Sequence, residues 1–479
     1  MATPNMRLVF RYHGAVIADR RSESGGHAPD ANATALTSRH AVASPRVEDS
    51  HWMPEIDGLR AIACLVVVYD HFTPWGVFWR LLTRGWLYPF WDNTAKTIAI
   101  GSMGVMLFYS ISSFLLTYLA VREWIANGHF SPKQFLIRRT LRIWPLYYTI
   151  LLAYVGLAFL AKTQFPGQER MVDPAGWFWG AIVVYPLFLQ NWFTPGLPEA
   201  GILWSLAIEE QFYLVFPWVM LLIFRRRLDP AWVVGGLILV TFAFTSLFVF
   251  GFRTEVGLYY STPTFFAIFA LGAAAGWAFA LNGPTWARLS DVFRRHRVPL
   301  GLLLLVGIGV AGYRGNDRFF PPYTLLTPPT FLVLAACFAG SIVWILSNRE
   351  SLVARILKSR VMRDLGFLSF GIYMWHTIVK VLIFYRVQDV DLSKFPTDAR
   401  FAMIFVSYIL GSVALATLTY CCVEQPFLRL KDRFSASGPI REGTPPRGSR
   451  GTTRFLVWYF ALPATGVIII EAIFRQHLR

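Results

Sequence analysis

Apolar stretches of about 20 residues recur along this chain, and the arginines and lysines gather in the gaps between them. A helix of that length rises about 30 Å, the thickness of a bilayer's hydrocarbon core. Within lipid a helix satisfies its own backbone hydrogen bonds, so the pattern predicts an all-α, polytopic membrane protein. The candidate spans are about 58–79, 98–120, 140–161, 203–224, 231–250, 262–282, 299–313, 326–347, 365–385, 401–421 and 455–474. Composition agrees, with 55% hydrophobic and 15% charged residues, against roughly a quarter charged in soluble chains. A net charge of +17 would suit nucleic acid, but the basic residues are dealt out between apolar runs as in cytoplasmic loops. No nucleic-acid partner is expected; the bilayer is.

The basic clusters also set the topology. Arg122, Lys133, Arg138, Arg139 and Arg142 form one; Arg225–Arg227, Arg288–Arg297, Arg349–Arg363 and Arg429–Arg433 follow. With all of them cytoplasmic and the N-terminus inside, the apolar stretch 177–193 cannot cross and is expected to be re-entrant or interfacial, where Trp177, Trp179 and Trp192 are at home. Ten spans then form the core and an eleventh stands apart. The expected organisation is a disordered cytoplasmic leader (1–52), a transmembrane core (53–433), a Gly/Pro/Ser/Arg-rich cytoplasmic linker (434–454) and an additional helix with a short tail (455–479). Cys64, Cys337, Cys421 and Cys422 all fall in apolar segments without metal-site or disulfide spacing and read as packing residues.

Ionisable groups inside a bilayer cost several kcal/mol, so each asks for a reason. Arg60 and His71 are eleven residues apart, about three helical turns plus 20°, which sets them on one face with a rise of about 16 Å. A histidine at that depth suits a general base for a hydroxyl, or else a buried packing residue. Asp70, about 100° round the helix, should face elsewhere. In Trp204-Ser-Leu-Ala-Ile-Glu-Glu-Gln-Phe-Tyr213, helical spacing groups Glu209 with Phe212 and Tyr213 and sets Glu210 about 100° off, so that one Glu can face the bundle interior while the other looks toward the interface. Arg138 and Arg142, one turn apart, can hold phosphates together or simply set topology. His376 and Lys380 are likewise one turn apart, with catalytic and interhelical hydrogen-bonding roles both open.

Six strings then assemble into a family pattern: Glu55-Ile-Asp-Gly-Leu-Arg60-Ala-Ile-Ala; Ser110-Ile-Ser-Ser-Phe-Leu-Leu; Arg138-Arg-Thr-Leu-Arg142-Ile-Trp-Pro145-Leu-Tyr-Tyr; Trp204 to Tyr213; Ser369-Phe-Gly-Ile-Tyr373-Met-Trp-His376; and Glu424-Gln-Pro426-Phe. From about Pro54 to Leu430 the chain resembles the membrane acyltransferase-3 family of the O-antigen acetylase type. The resemblance implies a ten-helix core in a bacterial inner membrane. It implies catalytic roles for Arg60, His71 and Glu209, and contacts to nucleotide phosphates by Arg138, Arg139 and Arg142. His376, Tyr213 and Gln211 are substrate or structural candidates. The co-substrate it implies is an acyl-CoA, by default acetyl-CoA, and the acceptor a hydroxyl of an extracytoplasmic or lipid-linked glycan. No bound cofactor or metal is expected. Two departures stand out: Ser113 replaces a usual glycine, which puts close helix packing there in doubt, and no hydrolase-like domain follows the core, as in a stand-alone form. The expected chemistry is proton removal by His71 while Arg60 stabilises phosphate or developing negative charge, and an acyl-enzyme on His376 or Ser205 is left open. The rival reading is a proton-coupled secondary transporter.

Overall fold

The computed structural model describes residues 52–72, 100–164, 183–193, 200–252, 258, 260–314, 327–388 and 397–431, and these are helical with no strand among them. The leader up to residue 51, the linker and the additional helix lie outside the described residues. Helix α1 (Pro54–Phe72) opens on a proline at its first position and carries Glu55 and Asp57 in its first turn, where the helix dipole favours acids. Then come α2 (Ile100–Asn127), α3 (Pro132–Gln164), the one-turn α4 (Gln190–Phe193), α5 (Leu203–Arg226) and α6 (Pro230–Leu247). After them follow α7 (Phe266–Leu281), α8 (Pro284–Arg295), α9 (Arg297–Arg314), α10 (Thr327–Ser347), α11 (Leu352–Leu357), α12 (Arg360–Gln388), α13 (Thr397–Thr419) and α14 (Gln425–Lys431). A π-helical turn, Tyr420–Glu424, joins the last two. Caps set several starts: the Asp229 side chain accepts from the Ala231 amide at 3.0 Å, and Ser351 from that of Ala354 at 3.2 Å.

Seven helices among the described residues are long and apolar enough to cross a membrane. The other three expected core spans coincide with the charge-bearing α1, with α3, and with the shorter apolar stretch Arg297–Ala311 of α9. The protein is an all-α, multi-pass membrane protein. Its peripheral helices α6 and α9 are apolar on every side and leave Trp232, Leu239, Leu303 and Leu305 exposed, as lipid-facing positions should be. Of the stretch 177–193, residues 183–193 are described; they form turns and α4, too short to cross, with Trp192 exposed. Trp177 and Trp179 lie outside the described residues.

Relative helix directions follow from matched contacts. Along α1, Asp57 lies against Gly366, Cys64 donates to the Ser369 carbonyl at 3.4 Å, and His71 meets His376, so α1 and α12 run parallel. Gly101 lies against Asp70 and Gly104 against Ala63 and Val67, so α2 runs antiparallel to α1. Gly272 meets Ser110 and Ser113, and Gly276 meets Phe114, so α7 runs parallel to α2. These directions agree with the alternation of crossings expected from the basic clusters.

Where lipid offers no hydrophobic driving force between helices, close backbone approach through small residues holds them together. The doubt raised by Ser113 resolves here: the close α2–α7 contact survives because the glycines, Gly272 and Gly276, stand on the opposite helix, while Ser113 returns its hydroxyl to the Ser110 carbonyl at 3.1 Å. The tightest seam is α1–α12, where a Cβ at Gly366 would collide with the Asp57 backbone. Gly366→Ala is therefore expected to destabilise the fold by about 1–3 kcal/mol, read as earlier thermal unfolding in detergent. An unchanged transition would show that the seam can spread.

Candidate active site

Two polar centres lie along the α1 face predicted from the Arg60–His71 spacing. The first surrounds Arg60. Asp57, Arg142, Glu209 and Tyr213 are all within its electrostatic reach, and Glu424 interacts in turn with both Arg142 and Arg60. Asp57 is oriented by the Trp52 indole, which donates to it at 2.7 Å, and the Arg363 guanidinium lies 5.2 Å over that indole. Glu209 accepts hydrogen bonds from Ser112 on α2 at 2.7 Å and from the Tyr213 hydroxyl one turn on. Phe212 stacks on Phe269, with centroids 4.1 Å apart, and locks this turn of α5. Carboxylates and guanidiniums from α1, α3, α5 and the α13–α14 junction thus meet in one mixed-charge cluster.

The second centre lies toward the other end of α1. Nδ1 of His71 is 2.9 Å from the Val67 carbonyl, and Nδ1 of His376 is 2.5 Å from that of Tyr373. A carbonyl only accepts, so in each neutral ring Nδ1 carries the hydrogen and Nε2 keeps its lone pair. Each imidazole is therefore held by its own helix in the tautomer whose Nε2 can act as a base. The two rings meet edge to face with centroids 5.0 Å apart. Lys380, buried one turn beyond His376, interacts with both. Asp70 turns away as its angle predicts, toward Gly101 at the N-terminal end of α2.

With this geometry in view, the comparisons with known proteins decide the family. The acyltransferase domain family matches residues 53–421. The chain belongs to that family. Among relatives, the peptidoglycan O-acetyltransferase OatA of Listeria monocytogenes is 28% identical over 332 residues, covering 68% of this chain and 49% of that protein. The O-acetyltransferase OatA of Staphylococcus aureus is 24% identical over 442 residues, covering 89% of this chain and 65% of that protein. The chain thus spans about half to two-thirds of the length of these relatives. No solved structure matches.

Within this family member, the residues singled out in the sequence separate in space. Arg60, Arg142, Glu209 and Tyr213 come together, and His71 joins His376 instead. The basic run at the start of α3 fans out rather than acting as a pair. Arg138 forms an ion pair with the buried Glu123 at 2.9 Å, Arg139 interacts with Glu210 and Tyr213, and Arg142 belongs to the Arg60 cluster. Glu210 does not turn to the interface: it is only 5% exposed and accepts from the Trp144 indole at 3.4 Å. The correction has a packing cause, because α3 covers the face of α5 that helical angles alone leave open. The Gln211 amide is fully engaged. It donates to the Phe188 carbonyl and the Asn191 side chain, both at 2.9 Å, and accepts from Trp192 and Thr262, so it pins the 183–193 segment. Ser205 shares its hydroxyl with Tyr373 at 2.5 Å and the Ile202 carbonyl at 3.0 Å, a structural link between α5 and α12.

Three members of the Arg60 cluster, Asp57, Ser112 and Glu424, carried no role in the sequence reading. Ser112 sits inside a recognised motif in which only Ser113 drew notice, and its pairing with Glu209 joins positions 97 residues apart. Glu424 also stood in a matched motif. Its π-helical turn, a feature often found at functional sites, is visible only in the fold.

Proposed function

We propose that this protein is a membrane O-acyltransferase that moves an acetyl group from acetyl-CoA to a hydroxyl of an extracytoplasmic or lipid-linked glycan. The observation that carries the reading is the tautomer of His71. Its Nδ1–H is committed to the Val67 carbonyl, so a neutral Nε2 is presented beside His376 within the helix bundle of an acyltransferase family. The acetyl-CoA donor fits the distribution of charge. Arg60 lies about 16 Å along α1 from His71, of the order of the pantetheine arm that separates a CoA diphosphate from its thioester. Arg142 and Arg139 stand near the Arg60 end as partners for phosphate oxygens, and Arg138 anchors α3 through Glu123. A glycan acceptor is supported by the Listeria relative, a peptidoglycan O-acetyltransferase by name.

In the reaction, Nε2 of His71 takes the proton of the acceptor hydroxyl as its oxygen attacks the thioester carbonyl carbon. The new C–O bond forms and the C–S bond breaks with its electron pair on sulfur. The proton held by His71 ends on that sulfur, giving the free thiol of CoA. Glu209, held by Ser112 and Tyr213, keeps the field around Arg60 balanced. The basic clusters favour entry of the donor from the cytoplasm, with the N-terminus on that side and the protein in the bacterial inner membrane. The test is release of CoA from acetyl-CoA by the purified protein in lipid nanodiscs, with and without peptidoglycan fragments or envelope polysaccharide. Acceptor-dependent thiol release with matching acetylation of the glycan is expected. A folded protein that releases no thiol with any acceptor, yet moves a solute in vesicles, would overturn the reading in favour of a transporter.

A further inference from the structure

His376 is used by neither the phosphate end nor the base step above, and its surroundings are unusual for a packing residue. It is 0% exposed, and its Nε2 has no hydrogen-bond partner among the described residues. Leaving a buried polar nitrogen unmatched costs about 1–3 kcal/mol, and a purely structural position would be filled more cheaply by an aromatic hydrocarbon. The ring is nevertheless held firmly. Nδ1 is engaged with the Tyr373 carbonyl, the Tyr373 and Tyr408 rings lie at 5.7 and 6.4 Å, and the next residue, Thr377, is hydrogen-bonded to Tyr154 of α3. The charged and titratable groups around it are His71 on α1, Lys380 and Tyr373 on its own helix, Tyr408 on α13 and Tyr154 on α3.

Two neutral imidazoles whose Nδ1 hydrogens are both committed to carbonyls present two Nε2 lone pairs. They cannot satisfy each other unless a hydrogen is supplied between them. That hydrogen arrives when His71 takes the acceptor's proton: its Nε2 becomes a donor, and the ring of His376, whose own Nε2 is unmatched, lies 5.0 Å away, centroid to centroid. We propose that His376 is the positioning residue for this step. It accepts a hydrogen bond from the transient His71 imidazolium and so stabilises the charge that appears as the hydroxyl attacks. Over one turnover the pair gains and loses no net proton. The proton taken from the acceptor oxygen still leaves on the sulfur of CoA, and His376 serves while it is in transit.

This rests on the acyltransferase reading above and is tested so that the two fail separately. Asparagine places its amide nitrogen near the position of imidazole Nδ1 and glutamine places a polar atom near that of Nε2, so the two nitrogens can be examined one at a time. His376→Asn keeps a donor for the Tyr373 carbonyl and removes the second acceptor. It is expected to unfold at the same temperature as the natural protein and to lower kcat about 10- to 100-fold with KM for acetyl-CoA unchanged, while His376→Gln recovers part of kcat. His376→Asn with full kcat overturns the proposal, and so does a loss of kcat that tracks a loss of folded protein in both variants. If the natural protein itself releases no CoA from acetyl-CoA, it is the acyltransferase reading that has failed. The solid-state 15N spectrum of the His376 ring then decides the remaining point: an Nε2 that stays unprotonated and shifts only when His71 is present supports the pairing, and one unaffected by His71→Phe overturns it.

Discussion

His71→Ala is expected to lower acetyl transfer about a hundred- to ten-thousand-fold, the range over which a positioned general base contributes. The substitution should leave the fold standing, because the hydrogen bond it deletes runs to Val67 on the same helix and strands no partner across an interface. Cells that lack the native gene give the cleanest readout: the acetylation of envelope glycans and glycolipids, measured by mass spectrometry after complementation. The natural protein should restore one acetylated species and His71→Ala should not, at equal membrane abundance. Equal restoration by both would remove His71 from the chemistry. Arg60→Ala provides the contrast: if Arg60 serves the donor's phosphates as proposed, its loss should appear mainly as a raised KM for acetyl-CoA.

The largest effect on stability is expected at Glu123. This carboxylate, 4% exposed near the C-terminal end of α2, accepts from Arg138 at 2.9 Å and from the Ser131 amide at 3.3 Å. It ties α2, the turn that follows and the start of α3 into one corner. Glu123→Ala leaves the Arg138 charge without its carboxylate in a largely dehydrated setting, and about 3 kcal/mol of stability should be lost. Removing both partners should cost less than removing Glu123 alone, because no charge is then stranded; a thermal-unfolding cycle on the two single variants and the double variant measures this directly. Purely additive losses would mean that the pair is solvated and contributes little. The same double variant separates the readings of Arg138. As an anchor of α3 it leaves KM for acetyl-CoA unchanged in the folded fraction, whereas a direct phosphate ligand would raise it.

Much of the architecture was legible before any coordinates. The length of the apolar runs dictated helices, the basic clusters dictated their alternation, and the eleven-residue interval put Arg60 and His71 on one face of α1. These are properties of single segments: periodicity, length and charge act over a few turns and need no partner helix to be read. The i,i+4 pairing of Glu209 with Tyr213 is of the same kind.

What only the tertiary structure decided is which helix covers which face. Helical angles could separate Glu209 from Glu210 but not foresee that α3 would bury Glu210 beneath Trp144. Nor could they show that Arg138 turns to Glu123 while Arg142 turns to Arg60, because neighbours on one helix are sorted by what packs against each side. Ser113 read as an obstacle to close packing because the compensating glycines stand about 160 positions further along the chain. His71 and His376, 305 residues apart, become a pair only because α1 and α12 run parallel, drawn close where Gly366 meets the Asp57 backbone. The sequence by itself determined the helices, their alternation and the chemical groups each one carries; the packing of small residues between distant helices decided which of those groups meet, because that contact depends on the shapes of two surfaces and neither is written in one segment alone.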